Sequence, residues 1–229
     1  MLNRIPNYIK YIFSNFLLLI VFNIIFRILF YAVFAELETA TSVEKQTAFW
    51  LGLRFDIKLA SIAIFPLAIL VLIVNRRFLK YKIYRKFSYT YLIITYITLT
   101  LFYLMDFGYY DYLSIRLDAA SLRFLEDLKI SSQVLLESYP VFKGIFGLFV
   151  LGYLIYRTSK YVYNKFRNRQ LYYSIKIKTV YFIATILLLS FSIYNSFTHY
   201  PLRWSEAFFS KNNKVNQFAL NPVLYFFDS

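Results

Sequence analysis

The sequence lacks cysteine altogether and contains a single histidine, His199. The absence of cysteine excludes disulfide bonds, thiolate metal sites and a cysteine nucleophile. One histidine cannot form a cluster of imidazole ligands, and no glycine-rich phosphate loop, Walker sequence or HExxH motif accompanies it. We therefore predict no catalytic residue, no metal site and no cofactor in this chain.

Long stretches of the chain also lack charge, because 59% of its residues are hydrophobic. Five apolar blocks approach or exceed the roughly 20 residues that an α-helix needs to cross a bilayer. These blocks cover residues 12–34, 57–74, 89–105, 141–156 and 177–197. The predicted fold is all-α, a polytopic membrane protein with five transmembrane helices in residues 1–199.

Acidic residues are few: 12 stand against 26 lysines and arginines, so the formal net charge is +14. The basic residues concentrate in three segments that alternate with the apolar blocks. These segments contain Arg4 and Lys10; Arg76, Arg77, Lys80, Lys82, Arg85 and Lys86; and Arg157, Lys160, Lys165, Arg167, Arg169, Lys176 and Lys178. The positive-inside rule then predicts a cytoplasmic N-terminus and an extracytoplasmic C-terminus. Anionic lipid is the expected partner of this charge, and nucleic acid is not, because no soluble module accompanies it.

The longest polar segment, residues 106–140, is therefore expected outside the membrane. Residues 118–138 within it are predicted to form an amphipathic outer helix, because apolar residues recur at helical spacing. Its apolar face comprises Leu117, Phe124, Leu128, Leu135 and Tyr139. Asp118 is the predicted N-cap, since its carboxylate can accept hydrogen bonds from amides of the first turn.

Two polar residues, Asn23 and Arg27, interrupt the first apolar block and share one helix face. A charged side chain inside a span is costly and is a functional candidate by default. Arg27 lies nearer the outer end of its span, however, so we favour a structural interpretation in which it snorkels to the lipid headgroups.

Opposite charges alternate just where the second apolar block begins, at Arg54, Asp56 and Lys58. They are compatible with a salt-bridged mouth of the bundle or with an ordinary charged helix start. At the other end of the chain, Val223–Phe227 is too short to span the membrane and too apolar to prefer water. We expect residues 200–229 to form an extracytoplasmic juxtamembrane segment that leads to a further domain.

Four short motifs resemble the N-terminal membrane region of lipoteichoic-acid-synthase-like proteins, and in particular sulfatase-superfamily phosphoglycerol transferases of Bacteroidetes-type bacteria. The motifs are Gly52-Leu53-Arg54-Phe55-Asp56, Asp106-Phe107-Gly108-Tyr109-Tyr110 with Arg116-Leu117-Asp118 behind it, Tyr200 to Phe209, and Ala219 to Asp228. The resemblance covers essentially the whole chain. It implies a location in the bacterial cytoplasmic membrane.

Members of that family carry an extracytoplasmic catalytic domain after this region, with a threonine nucleophile and a divalent metal such as manganese. They move glycerol phosphate from phosphatidylglycerol onto an acceptor. The resemblance implies that this chain is the membrane-anchor and lipid-facing module, with the catalytic domain supplied in cis or in trans. The manganese-like metal would belong to that missing domain.

Three arginines are expected at the outer interface: Arg54, Arg116 and Arg203. Guanidinium groups suit phosphate geometry, so they are candidates for binding a lipid headgroup or docking the catalytic domain. Their predicted carboxylate partners are Asp56, Asp118 and Glu206. The alternative for these residues is surface ion pairs that contribute little stability. The alternative functions of the chain are a small transporter or channel built around Asn23 and Arg27, and a scaffold that binds a partner through the outer helix.

Overall fold

A computed structural model of the chain describes residues 5–34, 40–125, 141–167 and 173–229. Every regular element within these ranges is a helix. The α-helices are α1 (Asn7–Phe34), α2 (Ser42–Val74), α3 (Arg76–Lys80), α4 (Lys82–Leu113), α5 (Val141–Arg167), α6 (Ile175–Tyr194), α7 (Asn213–Ala219) and α8 (Pro222–Asp228). Two 3₁₀ helices, η1 (Ala119–Leu125) and η2 (Trp204–Ala207), join them.

Four of these helices, α1, α2, α4 and α6, are long and apolar enough to cross a membrane by length and composition. The predicted spans 12–34, 57–74 and 89–105 lie within α1, α2 and α4, and the span 177–197 overlaps α6 but runs past its end at Tyr194. The chain is therefore helical with a multi-pass, membrane-like architecture. The remaining predicted span, residues 141–156, lies in α5. That helix is 27 residues long, but it does not meet the same criterion of apolar content in the part of the chain that the structure describes.

The second membrane helix is much longer than predicted, because α2 begins at Ser42 rather than near residue 57. Thr41 and Glu44 form a capping box that satisfies amides of the first turn. Arg54, Asp56 and Lys58 are therefore not at a helix start, and the interpretation of an ordinary charged helix start is wrong. They lie about three turns or more inside α2.

Helix α2 is the centre of the bundle and packs against α1, α6 and α7, while α4 packs against α5. Apolar residues such as Ile28, Phe149 and Leu187 remain exposed on the outer helix faces. An exposed apolar surface of this kind is normal where hydrocarbon replaces water as the solvent. The buried core instead follows the contacts of α2.

The basic segments meet at one end of the bundle. The Asn7 side chain donates to the Phe166 carbonyl oxygen at 3.0 Å, which joins the start of α1 to the end of α5. The Tyr163 hydroxyl donates to the Phe78 carbonyl oxygen at 2.9 Å, which joins α5 to α3. We call this the basic end of the bundle.

The predicted outer helix differs from the observed structure where the two can be compared. Residues Ala119–Leu125 form 3₁₀ turns, in which the Ser121 amide donates to the Asp118 carbonyl oxygen at 3.1 Å. The rest of the predicted helix, up to residue 138, lies outside the described residues. The apolar stripe on which the scaffold alternative depends therefore lies largely there.

The C-terminal segment, residues 213–229, packs against the bundle at the end away from the basic segments. Asn212 caps α7, and Asn221 caps α8 by accepting hydrogen bonds from the Val223 and Leu224 amides. Residues 215–224 are all buried. Helix α7 packs on α2 and α1, and α8 packs on α4, so the apolar run Val223–Phe227 meets the bundle rather than water.

Candidate functional site: a buried polar network beneath the C-terminal segment

The network is built around an ion pair between α1 and α2. Arg27 is only 3% exposed, and Asp56 is fully buried. The Arg27 Nε donates to Asp56 Oδ2 at 2.8 Å, and its Nη2 donates to Asp56 Oδ1 at 2.8 Å. This two-point geometry is the strong form of an arginine–carboxylate contact. The snorkelling prediction for Arg27 is wrong, because the side chain turns into the bundle.

The same guanidinium also holds the C-terminal segment. Its Nη1 donates to the carbonyl oxygens of Phe218 at 2.6 Å and Leu220 at 3.3 Å, and its Nη2 donates to that of Gly52 at 2.9 Å. All three nitrogens of Arg27 therefore donate to protein oxygens. A buried cation is tolerated only when it is paired and hydrogen-bonded in this way.

Glycine at position 52 is required by this contact. A Cβ atom built there would overlap the Nη1, Cζ and Nε atoms of Arg27. Gly52 and Asp56 are four residues apart, so they lie one above the other on the face of α2 that meets α1. One helical turn of α2 therefore supplies the space for Arg27 and a carbonyl acceptor, both at Gly52, and its charge partner, Asp56.

Polar side chains continue the network across to α4. The Asn221 Nδ2 donates to Asp56 Oδ1 at 2.9 Å and to the Tyr103 hydroxyl at 3.2 Å. Tyr103 donates in turn to Asn23 Oδ1 at 3.1 Å, and the Asn23 Nδ2 donates to the Asp56 carbonyl oxygen at 3.2 Å. The predicted intramembrane pair Asn23 and Arg27 therefore converges on Asp56.

A second buried ion pair lies on the other side of the C-terminal segment. Arg116 contacts Asp106, and Asp106 Oδ1 also accepts from the Leu117 amide at 3.0 Å. The Arg116 Nε donates to the Gln217 carbonyl oxygen at 3.1 Å, and its Nη2 donates to that of Leu220 at 3.2 Å. Burial lowers the pKa of the Arg116 guanidinium, and the Asp106 charge opposes that change. The Leu220 carbonyl oxygen thus accepts from both buried arginines.

The predicted arginine–carboxylate partners are mostly different in the structure. Arg54 contacts Glu206 at 3.6 Å rather than Asp56, and it donates to the Asn195 carbonyl oxygen at 2.5 Å. Asp118 does not pair with Arg116; its Oδ1 accepts from the Tyr109 hydroxyl at 3.0 Å.

Arg203, the third predicted outer arginine, is exposed and lies over the Tyr200 ring at 5.1 Å. Its pairing with Glu206 is not observed among the contacts of the described residues, where Glu206 pairs with Arg54.

Sequence reasoning missed the acceptors and the distant partners of this network. The sequence pattern places Asp106 in the polar segment 106–140 and in one of the four motifs, and it assigns no partner to Gln217, Tyr103 or Asn221. A usable signal was present at Asn221, a polar residue within the apolar run from Phe218 to Phe227. A buried polar side chain in such a run needs a partner.

The chemistry that this network performs is positioning. The two arginines and the two aspartates balance in charge. The arginines donate their other hydrogen bonds to backbone carbonyl oxygens of residues 217–220 and Gly52. Among the described residues, no cluster of three or more histidine, aspartate or glutamate side chains could hold a metal ion. No protein-family model, curated protein or solved structure matches the chain.

Proposed function

We propose that the chain is the membrane-anchor and lipid-facing module of a lipoteichoic-acid-synthase-like transferase of the sulfatase family. On this proposal, a catalytic domain in cis or in trans moves glycerol phosphate from phosphatidylglycerol at the outer face of the bacterial cytoplasmic membrane. The divalent metal belongs to that catalytic domain. The module has five spans, a cytoplasmic N-terminus and an extracytoplasmic C-terminus.

The observation that carries the proposal is the docking of residues 213–224 by two buried ion pairs. A flexible tail would leave an attached or associated domain free to move away from the bilayer. A segment held by Arg27 and Arg116 instead presents its surface at a constant height above the bundle. Catalysis on a lipid headgroup needs such a fixed distance between the reacting group and the membrane surface.

The outer arginines divide into two roles under this proposal. Arg116 is 2% exposed and serves the docked segment. Arg54 and Arg203 are the two that reach the surface, so they are the candidates for a lipid phosphate. A transporter would have to displace the protein oxygens that already occupy Arg27, and we therefore place that function second.

The first test is of orientation. The chain has no native cysteine, so Ser205→Cys and Lys165→Cys each create a single labelling site. A membrane-impermeant maleimide applied to intact cells should label position 205, and position 165 only after permeabilisation. The reverse pattern would contradict the proposed orientation.

The second test is of lipid-facing function. The purified full chain is reconstituted with phosphatidylglycerol carrying a labelled glycerol headgroup, and a sulfatase-type transferase ectodomain is added with manganese. We expect faster headgroup transfer than in vesicles without the chain, and loss of that gain in the Arg54→Ala, Arg203→Ala double variant. Lys211→Ala, another exposed charge, is the control. Equal transfer with and without the chain would overturn the proposal.

A further inference from the structure

An apolar groove of about 180 Å³ separates α1 from α6. It runs between Ile9 and Phe16 on α1 and between Tyr181 and Leu189 on α6. Both helices pack on α2, so the groove is the gap left between two neighbours of the central helix. At 1.5 Å per residue its walls are roughly 10 Å long. Its lining is predominantly apolar, which suits an acyl chain.

The end of this groove that begins at Ile9 and Tyr181 is strongly basic. Lys178 precedes Tyr181 by three residues, and so lies on nearly the same face of α6. Lys10 follows Ile9 on α1. The acidic residues of the chain lie elsewhere: residues 1–35, 57–105 and 138–205 contain none. The positive charge at the basic end therefore has no carboxylate counterion in the segments that form it.

We propose that the groove between α1 and α6 is a binding site for one anionic phospholipid. An acyl chain lies along the groove, and the phosphate contacts the Lys178 ammonium at its basic end. Charge complementarity favours an anionic lipid, because the basic end already carries several positive side chains. A zwitterionic headgroup would add another positive charge there. This site lies at the opposite end of the bundle from residues 213–224, and it is independent of the proposed transferase function.

Native mass spectrometry of the full chain tests the site directly. The detergent-solubilised protein is titrated with phosphatidylglycerol and, separately, with phosphatidylcholine. We expect one tightly retained phosphatidylglycerol, bound about tenfold more tightly than phosphatidylcholine. Lys178→Gln should remove that preference. Lys176→Gln is the matched control, because Lys176 carries the same charge on the same helix but lies about 140° away from Tyr181.

A second pair of variants tests the groove itself. Ala184 lines the groove, and its neighbour Ile183 does not. Ala184→Trp should abolish retention of phosphatidylglycerol by filling the space, whereas Ile183→Trp should leave it unchanged.

Three outcomes would overturn the proposal. They are equal retention of both lipids, equal effects of the two lysine variants, and retention of phosphatidylglycerol by Ala184→Trp.

Discussion

Gly52→Ala is the substitution that tests most directly whether Arg27 holds the C-terminal segment in place. The added methyl group would overlap the guanidinium of Arg27, which must then leave its acceptors. Gly144 and Gly147 provide matched controls in another helix, because a Cβ atom at either position meets no other atom within 4 Å.

The substitution should lower the stability of the docked structure at Gly52 and raise stability at Gly144 and Gly147. Glycine to alanine in an exposed helix interior stabilises by about 1 kcal/mol. At Gly52, overpacking costs about 1–3 kcal/mol, and one displaced hydrogen bond to a charged group costs about 1.5–3 kcal/mol. After the gain in helix propensity is subtracted, the net loss is about 1.5–5 kcal/mol. A loss of about 1.5 kcal/mol corresponds to a roughly tenfold larger undocked population.

The absence of cysteine from the chain makes this population measurable. Val215 is fully buried in α7 and takes no part in the polar network, so Val215→Cys supplies one thiol that reacts only when the segment undocks. The rate of maleimide labelling in detergent then reports the undocked fraction. The exposed position Ser205, substituted by cysteine, gives the rate of a freely accessible thiol.

Labelling of position 215 should rise by about tenfold or more in the Gly52→Ala background. It should stay unchanged in the Gly144→Ala and Gly147→Ala backgrounds. If Gly52→Ala labelled no faster than these controls, the reasoning that ties the docked segment to the position of Arg27 would be refuted.

Two further predictions concern the second ion pair and the exposed arginine. Asp106→Asn leaves Arg116 buried without its charge partner and should cost about 3–5 kcal/mol; thermal unfolding in detergent measures this against the exposed Asp111→Asn, and equal melting temperatures would contradict it. Among the contacts of the described residues, Arg203→Ala removes a cation–π contact with Tyr200, and it should cost about 0.5–1 kcal/mol in the same assay. A larger loss would show that Arg203 has a buried partner.

The helical, multi-pass character of the chain could be predicted because apolar length is a direct physical requirement of a bilayer. The start of α2 could not be predicted by that means. Residues 42–56 are too polar to belong to an apolar run, and the capping box of Thr41 and Glu44 extends the helix through them. Hydropathy therefore detected the apolar part of α2 and missed its more polar N-terminal part.

The partners in the buried network were out of reach for a related reason. Helical spacing places residues on a face, but it does not say which other helix covers that face. Arg27 meets Asp56 across 29 residues and the Phe218 carbonyl oxygen across 191. The predicted partner of Arg54 is Asp56, the carboxylate nearest to it in the sequence. That pairing is wrong because residues two positions apart on a helix point in different directions.

The long separation between Arg27 and its carbonyl acceptors imposes an order on biogenesis. At synthesis rates of roughly 5–20 residues per second, Asp56 follows Arg27 within seconds, whereas Phe218 follows roughly 10–40 s later. The ion pair can therefore hold α1 against α2 early. The remaining Arg27 donors have no α7 carbonyl acceptors until α7 is synthesised. Docking of α7 therefore distinguishes a chain that has been synthesised beyond residue 220 from one interrupted earlier, in which Arg27 lacks the carbonyl acceptors of Phe218 and Leu220.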